Sequence, residues 1–164
     1  MATIFTYSCH SNVSTLTTTT EFDIPTFIKS EASKLQALDP TITKTVCNSK
    51  STRVKEVKIS NWQNELAHFT TVDISKSGST DFSKEKIGDT LIYSISPDSK
   101  TKIVAKIIFA ADSPIAINIY KKNQNLLFGN EESLIYDRKA GYSISKRQSV
   151  KGMGENNYLI KGDF

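Results

Sequence analysis

From Thr90 onward, apolar and polar residues alternate in short runs broken by turn-forming residues. Leu91, Tyr93 and Ile95 alternate up to a turn at residues 96–99, and Ile103, Ala105, Ile107 and Phe109 follow. Val104 and Ile108 fall on the opposite face of that second run, the pattern of a strand buried on both sides and the expected centre of the sheet. Ile115, Ile117 and Ile119 alternate with Ala116, Asn118 and Tyr120, and residues 121–125 (Lys-Lys-Asn-Gln-Asn) read as a hairpin loop. Residues 126–128 then read as a short strand ending at Gly129-Asn130, with Leu134 and Tyr136 beyond it. Turns at residues 139–141 and 152–154 bracket Tyr142 and Ile144, and Tyr158 with Ile160 make the last strand. This spacing predicts a mainly β chain: a single-domain β-sandwich of jelly-roll type.

The N-terminal half adds one persuasive helix, over residues 24–38. Asp23 or Ile24 caps it, Pro25 sits in the first turn where a missing N–H costs nothing, and Asp39-Pro40 ends it. Ile24, Phe27, Ile28, Ala32, Leu35 and Leu38 form one apolar stripe, while Lys29, Ser30, Ser33, Lys34 and Gln36 face away. Such a helix is expected to lie across the sheet; an amphipathic membrane helix would carry a far more basic polar face. Residues 41–47 and 53–60 read as strands, 61–68 as a short helix or a loop, 69–75 as a strand, and 75–80 as a loop around Gly78. Residues 3–8 suit a strand, and the Ser/Thr-rich stretch after them has too few apolar side chains to anchor itself. Residues 1–20 are therefore expected to be an arm or edge strand, and 21–164 the sandwich domain.

Charge changes the picture only locally. Residues 1–99 carry 10 Lys/Arg against 11 Asp/Glu, whereas residues 100–164 carry 11 against 6, so the formal charge of +4 sits in the C-terminal half. Such an excess suits an anionic partner. Only Arg53, Arg138 and Arg147 are arginines, and readers of phosphate favour the arginine fork, so much of this charge reads as solvated surface. No apolar run approaches the ~20 residues of a transmembrane helix. The first residues lack the basic and apolar regions of a Sec signal, which implies a cytoplasmic location in the producing cell or release by a non-Sec route. Cys9 and Cys47 are then expected as thiols rather than a disulfide.

Catalytic and metal chemistry finds little support. His10, His68, Cys9 and Cys47 lack zinc-site spacing, and Glu65 with His68 is half of a di-iron pair without its other half. There is no nucleophile elbow, and the glycines of residues 151–154 lack a phosphate-loop pattern. The expectation is no enzyme, cofactor or metal. Aromatic and basic residues do interleave: Tyr120 beside Lys121 and Lys122, Tyr136 near Arg138 and Lys139, Tyr142 ahead of Lys146 and Arg147. On one β-face these nine would form a binding site for a glycan or other polyanion by stacking and ion pairing. The favoured reading is a structural protein that self-associates as a homo-oligomer or larger assembly, with the N-terminal arm as tether. In outline it resembles jelly-roll subunits of viral shells and fibre-forming surface proteins, without a shared motif. The polyanion-binding module is the alternative, and a membrane-active β-rich toxin, suggested by the Thr run, the third.

Overall fold

In the computed structural model, residues 21–74, 82–95 and 101–164 are described. The expected arm at 1–20, the loop at 75–80 and the turn at 96–99 lie outside them. Helix α1 spans Ile24–Leu38 and is followed by strands β1 (Thr41–Asn48) and β2 (Thr52–Lys58). A short helix α2 (Trp62–Glu65) and a 3-10 turn (Ala67–Thr71) come next. Seven strands complete the chain: β3 (Phe82–Ile87), β4 (Thr90–Ile95), β5 (Thr101–Ala110), β6 (Ser113–Gln124), β7 (Phe128–Asp137), β8 (Gly141–Val150) and β9 (Gly154–Asp163).

The expectation of a mainly β chain with one long amphipathic helix is met. The two-sheet sandwich is not confirmed: the nine strands form a single antiparallel sheet, ordered β2-β1-β9-β8-β7-β6-β5-β4-β3. From β3 to β9 each strand pairs with its successor, and β9 then pairs with β1, Thr43 opposite Asp163 and Asn48 opposite Tyr158. Alternation along a strand says that one face is apolar; it does not say whether a sheet or a helix covers that face. Here α1, α2 and the 3-10 turn supply the cover. The centre of the sheet is β7, and β5, expected there, is third from the β3 edge. Of residues 69–75, expected as a strand, the described part, 69–74, instead continues the helical layer, because Phe69, Val72 and Ile74 point into the core from the turn and the segment after it.

Local chemistry explains α1. Asp23 accepts from the Thr26 N–H at 2.9 Å and from its hydroxyl at 2.7 Å, which satisfies an otherwise orphaned donor of the first turn. At the other end Asp39 adopts φ 45° and donates its N–H to the Leu35 carbonyl, the left-handed stop that Pro40 prevents from continuing. Ile24, Phe27, Ile28, Ala32 and Leu35 are buried as the stripe requires, whereas Leu38 is exposed.

Cross-strand neighbours share a face, so the register sorts the sheet into two sides. The inner side, against the helices, carries the rows Tyr93–Ala105–Ile119–Leu134–Ile144–Ile160 and Leu91–Ile107–Ile117–Tyr136–Tyr142–Gly162. Gly162 is required there: a Cβ would lie 2.2 Å from the Tyr142 ring and 2.9 Å from Ile42 Cδ1. The outer side carries Thr, Ser, Asn and charged residues with scattered apolar ones, as suits a face open to water.

Candidate functional site

Burial on the inner side is aromatic. Trp62 is fully buried, and its ring meets Tyr142 at 6.2 Å and Phe164 at 5.8 Å edge-on. Tyr136 packs edge-on against Phe27 and Phe69, each at 6.2 Å. The two tyrosine hydroxyls therefore have to find partners inside, and both find carboxylates. Tyr136 donates to Glu31 at 3.1 Å, and Tyr142 donates to Glu65. Arg138 forks onto Glu31, Nε to Oε2 at 2.7 Å and Nη2 to Oε1 at 2.8 Å, and Lys34 adds 2.7 Å. Burial raises the affinity of Glu31 for a proton, but Arg138, Lys34 and Tyr136 together outweigh it and hold the carboxyl below its ordinary range. Desolvation, reinforced by the neighbouring carboxylates, pushes both phenols far up. These groups fasten α1 and α2 to the sheet and are fully occupied in doing so.

The nine residues expected to make a basic, Tyr-rich face are placed on both sides and both ends of the sheet. Tyr136, Tyr142 and Arg138 belong to the interior contacts just described. Lys121 is on the inner side, 2.5 Å from Glu132 and 2.8 Å from Thr71 Oγ1. Lys139 is in the β7–β8 turn, at the end away from the β6–β7 turn. Tyr120, Lys122 and Arg147 are on the outer side, where Lys122, Glu131 and Arg147 lie side by side across three strands. Lys122 pairs with Glu131 at 2.6 Å and Arg147 with Glu155 at 2.7 Å. Lys122 and Arg147 also line a cavity of about 160 Å³ over Gly129, where a Cβ would come within 2.8 Å of the Ser149 hydroxyl. Its charges are mutually paired. Lys146 is on the inner side, opposite Tyr158.

Lys146 begins a second group that no sequence window brings together. From the rim of the helical cover, the inner side continues across β9 and β1 to β2 with Tyr158, Ile160, Val46, Arg53, Lys44 and Lys55. Arg53 stands opposite Val46, and Lys55 opposite Lys44. Among the described residues Arg53, Lys55 and Lys146 have no ion-pair partner. The acids of this side are already engaged: Glu31 by Arg138, Glu65 by Lys44 at 2.6 Å, and Glu132 by Lys121 and His68. A recess of about 440 Å³ at the foot of α2 is lined by Lys44, Val57, Lys58, Asn61, Asn64 and Glu65 among others. Arg53 and Lys55 read in sequence as one more strand; only the β1–β9 pairing places them on the same side of the sheet as Lys146, Arg53 in the row of Ile144 and Lys55 in the row of Tyr142.

Glu65 and His68, three residues apart, are separately occupied, and among the described residues no group of three or more His, Cys, Asp or Glu is arranged to hold a metal. Cys47 is a free thiol that accepts from the Thr52 hydroxyl at 3.1 Å. No described helix is long and apolar enough to cross a membrane. No protein-family model, curated protein or solved structure matches the chain.

Proposed function

We propose that this chain is a non-catalytic recognition module for an anionic polymer such as an acidic glycan, bound along the inner side from Lys146 to Arg53 and Lys55. One observation carries the reading: three cations are left without acidic partners on a face whose own carboxylates are all engaged. The strip runs across β8, β9, β1 and β2, three interstrand steps of about 4.8 Å, or about 14 Å. That exceeds any single anionic group and suits a ligand with repeated charges. Tyr158, 39% exposed beside Lys146, offers a ring for stacking, and Arg53 a planar fork for carboxylate or sulfate.

The alternative of a self-associating building block draws on the open sheet, in which β2 and β3 are the edges among the described strands. Both edges carry cations along their length, Arg53, Lys55 and Lys58 on one and Lys84 and Lys86 on the other, a distribution that opposes edge-to-edge pairing. The recognition reading is therefore preferred.

Heparin-affinity chromatography of the full chain and of an Arg53→Gln/Lys55→Gln/Lys146→Gln variant tests it. The native chain should be retained at low salt and the variant should elute several steps earlier, because retention through exposed charge is screened by salt. Equal elution of the two proteins would sink the reading. Light scattering on the same samples reads the assembly alternative directly.

A further inference from the structure

The β6–β7 and β8–β9 turns stand side by side at one end of the sheet, and they are apolar where turns are ordinarily polar. Leu126 is 93% exposed, Leu127 70% and Met153 86%, with Phe128 and Val150, a cross-strand pair, just behind them. The turns are held in shape. Asn125 Oδ1 accepts from the N–H groups of Leu127 and Phe128, each at 2.8 Å, and the Lys151 N–H donates to the Leu127 carbonyl at 2.9 Å, tying one turn to the other. Leucines so displayed cannot turn inward without breaking these bonds.

We infer that this end docks onto an anionic lipid bilayer surface, Leu126, Leu127 and Met153 entering the headgroup–acyl boundary. Charge selects the occupant. Lys151 lies within the patch, and Lys50, in the β1–β2 turn at the same end, has no ion-pair partner among the described residues. Neither apolar turn contains an acid, and the nearest one along the chain, Glu155, is paired with Arg147. A second copy meeting this patch about a two-fold axis would bring Lys151 toward its own equivalent. A bilayer bearing acidic headgroups accepts both features at once, apolar side chains below and ammonium groups at headgroup level, the two signals that stable peripheral attachment needs.

The test is co-sedimentation of the full chain with phosphatidylcholine vesicles and with phosphatidylcholine–phosphatidylserine vesicles. The native chain should bind the mixed vesicles, and Leu126→Ser/Leu127→Ser/Met153→Ser should lose about tenfold or more of that binding. Lys50→Gln/Lys151→Gln should weaken binding to the mixed vesicles and leave the phosphatidylcholine result unchanged. Circular dichroism of each variant checks that the fold is kept. Failure of the native chain to bind mixed vesicles overturns the inference. So does a native dimer that the Leu/Met substitution converts to monomer, which would assign the patch to a second copy. Heparin retention of the Leu/Met variant should match the native chain, so this result and the fate of the basic strip are read separately.

Discussion

At one end of the inner side, Tyr136 and Tyr142 lie beneath the helices, packed against Phe27 of α1 and Trp62 of α2, with both phenol hydroxyls held by carboxylates; at the other, Leu126, Leu127 and Met153 stand in water beside lysines. The strands running between these ends are continuous, so strand propensity does not separate them. The helical layer does. Where α1 and α2 reach, large side chains are buried and even charged ones are consumed in fastening the layers. Where the layer stops, the same alternation leaves cations and apolar tips available. Stability therefore belongs to the covered end, and any partner has to meet the uncovered one.

This contrast orders the outcomes of substitution. Trp62→Ala should be the most damaging, at about 3–5 kcal/mol by urea unfolding, because a fully buried indole leaves a cavity that its ring neighbours can only partly fill. Arg138→Met should cost less, about 2–3 kcal/mol: Glu31 stays buried with two of its partners, and Arg138 was itself partly exposed, so water screens part of what is lost.

The same pair sets a pH dependence. A folded-state pKa below the ordinary 4.5 means that ionised Glu31 stabilises the native chain above that pH and that the contribution is lost as pH falls through the lower native value. The stability gap between the native chain and Arg138→Met should therefore narrow between pH about 5 and pH about 3; an unchanged gap would show that the ion pair is not the source. Tyr136 and Tyr142 act in the opposite direction. Their raised values mean that stability is full below their ordinary 10.0 and falls as pH rises past it, which alkaline melts of Tyr142→Phe can check.

The smallest stability effects belong to the uncovered end. Leu126→Ser and Met153→Ser should each shift unfolding by no more than about 0.5 kcal/mol, since neither side chain packs on anything it would lose. A large loss there would mean that the comparison has been drawn in the wrong place.

Much of the covered end was legible in the sequence. The cap at Asp23, the apolar stripe of α1 and the alternation of β5 to β9 follow from local rules, whereas Tyr136 and Tyr142, expected on a binding face, are buried because their register with Ile117 and Gly162 turns them under the helices. Glu31 was not legible: it lies on the apolar side of the helix stripe, and only its distant partner Arg138 accounts for it. The hairpin at Leu126 was misplaced for a related reason. Lys121 and Lys122 look like loop residues and Leu126 and Leu127 like strand residues, yet β6 runs on through Gln124 because Glu131 and Glu132 on β7 pair with those lysines. The leucines are left in the turn. The basic strip was hidden by distance along the chain, since Arg53 and Lys146 are brought to one side of the sheet only through β9.

That last strand also governs how the sheet is put together. Among the described strands β9 alone joins the β1–β2 hairpin to the meander of β3 to β8, and the contacts it makes with β1 span roughly 110 to 120 residues of chain. A two-stranded hairpin is marginal by itself in water, so the β1–β2 hairpin gains a lasting place in the sheet only after β9 has been made. Assembly from the N-terminus is thus a waiting process with a long loop to close, the kind that slows folding. A competing strand that displaced β9 would part the sheet in two and uncover fresh hydrogen-bonding edges on β8 and β1 together.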